Sequence, residues 1–230
     1  MADYVTFNLV AAMGAFGGPA GIGHRPTAEF PGRSMVLGLI GACLGIRRED
    51  RAGQERLSGL SVTVGILGES GFMRDFQTAQ GVPDAAIRHA QTRRDALGAL
   101  RPQDNATLSV RDYRSDCAFS VAIGRAEQPD QIARLLDHPV FTPYLGRKAC
   151  PLSAPMHPHI VWAEDCVEAL RMQPPPFCHE ELRLTMIISD EMVSRQDCAL
   201  HFETHRDDPG SRRLWHFTAR RACHIQILGA

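Results

Sequence analysis

A chain of 230 residues, 44% apolar and with net charge −1, is long enough to bury a sizeable core and is neither a disordered tail nor a polycation. No apolar run approaches the roughly 20 residues that cross a membrane. The opening MADYVTF lacks the basic stretch of a secretory leader, and seven cysteines without a CxxC pair argue against a disulfide framework or zinc ribbon, so a cytoplasmic protein with no membrane contact is expected.

Charge is unevenly spread. Residues 1–125 hold 14 Arg against 12 acids, residues 164–208 hold 11 acids against four Arg, and residues 209–230 hold four Arg and no acid. Lys148 is the only lysine. Arg offers a planar fork for phosphate and a face for stacking on bases; a GC-rich coding sequence produces the same bias.

Tyr4 to Val10 alternates as a first strand. Gly14, Gly17, Gly18, Gly21 and Gly23 then make a loop whose backbone can approach a ligand closely. Pro31 and Gly32 break the chain, Ser34 is the expected N-cap, and Met35, Leu37, Leu39, Ile40, Cys43 and Leu44 give a helix that Gly45 ends. With Arg25 and Arg33 just ahead of it, the stretch reads as an anion site at a helix N-terminus, or as a surface loop beside a well-capped core helix. The segment IRREDRAGQERLSG is expected to be a solvated connection, SVTVGIL (61–67) a second strand, and MRDFQTAQG a short strand. Residues 82–105 are polar and Arg-rich, including His89, with a thin stripe of Ile87, Leu97 and Leu100. Residues 72–114 thus read as a hairpin-like arm with a basic tip, or as a disordered loop.

Cys117 to Ile123 is a core strand and QPDQIARLLDHPVF a helix, so the elements before Pro139 fit a split β-α-β ferredoxin-like unit. TPYLGRKACPLSAP is a loop that groups Tyr144, Arg147 and Lys148. After Ala154, HIVWAE and ELRLTMIIS read as strands around the helix DCVEALRM, and the end as two or three strands turning at Asp208–Pro209–Gly210. A domain boundary is placed near residue 150.

Neither GxGxxG nor GxxxxGK[ST] occurs, so no nucleotide cofactor is expected. His157-x-His159, Cys178–His179, His201 and His205 form too scattered a set for a metal centre, and none is expected. Glu180–Glu181 and Asp207–Asp208 sit in polar contexts and are expected to be solvated. Tyr144, Lys148 and His138 are the residues a metal-independent ribonuclease would use, if the fold joined them.

Three blocks are more specific. HRPTAEFPGRSMVLGLIGACLGIRRED, VRDYRSDCAFSVAIG and FTPYLGRKACPLSAP resemble, in order and spacing, the CasD family, the RAMP-superfamily subunit that caps the crRNA 5′ handle in type I-E CRISPR Cascade. The resemblance covers most of residues 1–150 and only loosely the last 80, through SRRLWHFTARR. It implies an α+β protein: a ferredoxin-like (RRM-like) N-terminal domain, 1–150, with an inserted thumb at about 72–114, and a small β-rich C-terminal domain, 151–230. It implies RNA contacts at Arg25, Arg33, Ser34, Tyr144, Arg147 and Lys148, and at Arg74, Gln77, Thr78 and Arg111 at the thumb's base. The implied partners are the handle, held against the sheet and glycine loop, the backbone-filament subunit, the large PAM-reading subunit and, through the complex, target DNA. No catalysis is implied; in type I-C systems the equivalent subunit cleaves repeat RNA, which is the alternative. Phe16 stands where the family usually has Trp, and Phe76–Gln77 where it has Tyr-His.

Overall fold

A computed structural model of the chain describes all residues except 19, 20, 22, 89, 99, 102–105, 178, 194, 196, 212, 213, 215 and 228–230. His89, Cys178, Arg212, Arg213 and Trp215, all named above, therefore lie outside the described residues. The elements in order are β1 (Ala2–Gly14), β2 (His24–Arg25), α1 (Arg33–Cys43), α2 (Arg51–Gly59), β3 (Ser61–Ile66), β4 (Gly71–Ala79), α3 (Asp84–Ile87), α4 (Arg93–Gly98), β5 (Thr107–Gly124), α5 (Pro129–Asp137), β6 (His159–Ala163), α6 (Cys166–Met172), β7 (Met186–Ser189), β8 (Cys198–Ser211) and β9 (His216–Ile227).

The strands form one sheet in the order β6-β1-β5-β3-β7-β9-β8, with β2 and β4 added on β5. Strand alternation gives its two faces different chemistry. Val5, Phe7, Leu9 and Ala11 of β1 point to one side with Val62, Val64, Phe119, Val121 and Ile123, where α1 and α5 cover them. Phe7, Phe119, Leu37 and Ile40 are among the fully buried side chains there, each contributing roughly 1.5–3 kcal/mol by leaving water.

The other face of the same strands is polar and closed. Thr6 Oγ1 donates to Gln173 Oε1 (2.6 Å), Asn8 Nδ2 to the Pro174 carbonyl (2.8 Å), and Ser120 Oγ to Asn8 Oδ1 (2.7 Å). Thr63 and Ser189 hydroxyls meet at 2.7 Å. A second apolar cluster, from α6 and strands β6 to β9, packs on this side. Each buried side-chain polar atom among the described residues has a partner, which is what buried polar groups require.

β5 is long because it serves two structures. Residues 119–124 pair with β3, and residues 107–115 pair with β4, which leaves the core as an arm. Asp116 lies between them at φ 53, a left-handed conformation that Asp tolerates better than most residues.

Three expectations are corrected. The segment after α1 is not simply a connection: it contains α2, capped by Asp50, whose Oδ1 accepts from the Gly53 amide at 3.0 Å. Its composition hid it, since Leu57 is its one buried large apolar residue. Asp208–Pro209–Gly210 is no turn; it lies within β8, where the register with β9 shifts at a bulge and Pro is tolerated. Ser34 is not the N-cap of α1. That place is Gly32, without a side-chain cap, and the acceptor comes from β8: the Arg33 amide donates to Asp207 Oδ2 at 2.7 Å. A Cβ on Gly32 would sit 2.6 Å from that oxygen, so only glycine admits the carboxylate.

Candidate nucleic-acid interface

The three sequence blocks meet at the end of the molecule where the arm leaves the sheet. β2 pairs in parallel with β5, setting Arg25 beside Arg111, and the Val110 amide donates to the Gly23 carbonyl at 2.7 Å. Arg147 arrives from the third block, donating to the Asp112 carbonyl (3.3 Å) and the Arg25 carbonyl (3.1 Å). Its guanidinium stacks on the Tyr113 ring, 4.6 Å from the centroid. The loop bearing it is tied to the glycine loop because the Ala15 amide donates to the Leu145 carbonyl (3.1 Å) and Gly146, at φ +81, runs against Ala15. A Cβ on Gly146 would collide with the Ala15 carbonyl oxygen.

Asp112, only 3% exposed, anchors the arm's root. Arg74 grips both its oxygens (2.8 and 3.1 Å), and His24 Nε2 lies 2.8 Å from Oδ2. Arg74 first, against the opposing effect of burial and with help from His24, holds its carboxyl at about 2. Among the described residues the Arg25, Arg111 and Lys148 side chains have no carboxylate partner, so the surface carries surplus positive charge. Gln77 bonds Asp75 Oδ2 (2.5 Å), and Thr78 lies exposed further out on β4.

Two clefts border this surface. One of about 450 Å³ is lined by Phe16, Gly17, Ser34, Tyr144, Gly146 and Arg147. A neighbour of about 590 Å³ is lined by Phe141, Tyr144 and Lys148 among others. Tyr144, 37% exposed, stands between the two. His138, paired with Asp137 at 3.2 Å, lines neither, so the structure does not assemble the ribonuclease trio in one cleft.

Arg33 is elsewhere. Its side chain is 9% exposed and bonds Asp190, Asp208 Oδ1 (2.9 Å), the Leu60 carbonyl (2.8 Å) and the Ser58 carbonyl (2.7 Å). Arg220 completes the network on Asp207 (2.7 Å) and Asp190 (2.7 Å). Burial alone would raise the Asp207 carboxyl, but Arg220 and the Arg33 amide outweigh it and the net shift is downward. The Asp207–Asp208 pair is therefore not a solvated pair, and the anion seat read at the start of α1 is filled by the protein's own carboxylate. Phe16 is likewise core, 9% exposed and edge-on to Phe119 with centroids 5.4 Å apart.

Sequence reasoning overlooked Phe72 and took Phe76 only as a departure from the family, yet both are exposed aromatics on the arm. Phe72 (55% exposed) lies beside both Arg74 and Arg114, at 5.6 and 5.7 Å, and Phe76 is 63% exposed. The signal was there: aromatics among Arg and Asp in a strand without the apolar alternation of a core element.

A family model described as CRISPR-associated protein (Cas_Cas5) matches residues 4–223. The protein described as CRISPR system Cascade subunit CasD, from Escherichia coli (strain K12), is 34% identical over 179 residues, 74% of this chain and 76% of that protein. A chain of a solved CRISPR RNA-guided surveillance complex is similar with TM-score 0.65 and 23% identity, over 98% of this chain and 90% of that one. A second solved structure, described as a Cas protein, is similar with TM-score 0.64 and 20% identity, over 98% and 94%. At these identities the two structures speak for the fold, a mixed α and β architecture on an antiparallel sheet.

Proposed function

The chain belongs to the Cas5 family of CRISPR-associated proteins, and from that premise we propose that it is a non-catalytic RNA-binding subunit of a type I-E Cascade surveillance complex, capping the crRNA 5′ handle. The observation that carries this reading is the convergence of Arg25, Arg111, Tyr144, Arg147 and Lys148, from three separate blocks, on one surface beside two clefts. Guanidinium and ammonium groups neutralise phosphates, and exposed Arg and Tyr faces suit unstacked bases. Ser34 lines the first cleft, and Arg74, Gln77 and Thr78 extend the track along the arm. Arg33 joins the reading as the residue that holds α1 in place. The polar face of β1 and β5 is covered by the C-terminal half, so we place the handle over the glycine loop and the arm's root.

Connectivity supports a ferredoxin-like domain: β1-α1-β3-β5-α5-β6 with sheet order β6-β1-β5-β3 is the split β-α-β arrangement. The arm of β4 and the outer half of β5 suits the thumb, reaching towards the backbone-filament subunit. Apart from Tyr4, Ala122 and Met156, the two apolar clusters divide between the halves of the chain, which supports units 1–150 and 151–230, with β6 of the second completing the sheet of the first. The large PAM-reading subunit and target DNA would be met through the assembled complex, in the cytoplasm.

Co-expression with neighbouring genes, pull-down and sequencing of bound RNA test the reading. CRISPR repeat-derived 5′ ends are expected. Purified protein incubated with its repeat RNA in EDTA should leave that RNA intact; discrete cleavage would establish the ribonuclease alternative instead.

A further inference from the structure

We propose that the β8–β9 hairpin carries a binding site for a divalent transition-metal ion of the zinc class, built from His201, Glu203 and His224 with His205 as fourth donor. On β8, His201, Glu203 and His205 follow at two-residue spacing, which puts them on one face of the strand. The register sets His224 of β9 directly opposite His201. The ligand atoms of His201, Glu203 and His224 all lie within 4.8 Å of one another.

The nearest pairs stand at about the separations of a coordination shell, and a bound ion would draw donors now up to 4.8 Å apart inward. His201 Nε2 is 3.3 Å from Glu203 Oε1, and His224 Nε2 is 3.5 Å from Glu203 Oε2. His205 Nε2 lies 2.9 Å from His224 Nε2 and 3.8 Å from Glu203 Oε2. Nitrogen and oxygen donors bound to tetrahedral zinc stand roughly 3.3 Å apart, which these values bracket. A hydrogen-bond ladder explains the cluster less well. Three imidazoles converge on one carboxylate, and two ring nitrogens confront each other across a single shared proton.

The surroundings favour ligation. His224 is 4% exposed, so its ring is held in place beside the other donors. Phe30 stands edge-on to the His205 and His224 rings, at 5.8 and 5.9 Å, and walls one side. His201 and Glu203, 55% and 51% exposed, leave the other side open for entry. Cys198 and Cys223 alternate to the opposite face, so the donor set is imidazole and carboxylate, which suits Zn²⁺, Co²⁺ or Ni²⁺ and not Ca²⁺ or Mg²⁺. Phe30 precedes α1 by three residues, so a bound ion would pin the hairpin to the junction that Asp207 caps.

The test uses the whole chain, freed of any histidine tag and stripped with chelator, titrated with Co²⁺ and then Zn²⁺. One equivalent of Co²⁺ should give the visible absorption of a tetrahedral site, bleached by Zn²⁺. Zn²⁺ at about 100 times its Kd should raise the Tm by on the order of 5–10 °C. His201→Ala and Glu203→Gln alter exposed side chains, so both should stay folded by circular dichroism while Co²⁺ binding weakens on the order of 100-fold. His224→Ala is avoided as a sole test because a buried site can collapse. Absence of the tetrahedral spectrum in the wild type, or wild-type Co²⁺ affinity in both folded variants, would overturn the site. None of these readouts depends on RNA.

Discussion

Replacing Arg33 with Ala strips the shared cation from Asp190 and Asp208 and leaves the Leu60 and Ser58 carbonyls without their donor. Breaking a buried pair from one side costs about 3–5 kcal/mol, so Tm should fall by on the order of 10 °C. Arg25→Ala and Arg111→Ala remove exposed or half-exposed guanidiniums and should leave Tm nearly unchanged. Each should instead lower handle affinity and reduce the slope of log K against log salt by about 0.7, the share of one single-strand phosphate. Melting curves beside salt-dependent binding separate the two kinds of arginine; an Arg33→Ala protein with wild-type Tm and a reduced slope would reverse their roles. Sequence could not make this distinction. Arg25 and Arg33 look alike as cations near glycines, and what separates them is a set of carboxylates 157 to 175 positions away. The same blindness hid the metal-ligand face: His201 and His205 were visible, whereas Glu203 gains meaning only through strand alternation and His224 only through register.

Among the elements, strands with apolar alternation were legible, because β1, β3 and β5 bury one face against helices whatever the rest of the chain does. α2 and the β8 bulge were not, since one is polar nearly all round and the other uses a turn-forming tripeptide inside a ladder. The arm was legible in outline from its charge and thin apolar stripe. Between β4 and β5, Ala96 is the one buried residue of α4, so this segment adds little to stability. Replacing residues 84–103 with a short Gly-Ser linker should leave Tm within about 2 °C, a surface-like effect, while impairing co-purification with the backbone-filament subunit. An insoluble product would instead assign the segment to the core.

Over the whole molecule, ion pairs at Asp112, Asp197 and Asp207 tie β4 to β5, α6 to the segment before β8, and β9 to β8, and each carboxyl lies below its ordinary range. A lowered carboxyl contributes stability that is complete above the unfolded value near 4 and is lost as pH falls towards the folded one, about 2 for Asp112. His224 acts in the same direction from a higher start: its lowered value means that protonation, below about 6.5, favours the unfolded chain. Tm should therefore decline gently below pH 6.5 and steeply below about 4, and a profile flat to pH 3 would refute this account. The Asp207 cap has one further consequence, for biosynthesis. On the ribosome α1 emerges long before its acceptor, which lies 174 residues downstream. Until β8 is made, the helix start has no carboxylate cap, Arg33 has only Asp190 and the Ser58 and Leu60 carbonyls, and contacts of such sequence separation form slowly. With its apolar face already closed on β1, β3 and β5, α1 waits only for its cap, so docking of β8 should be a late step of folding.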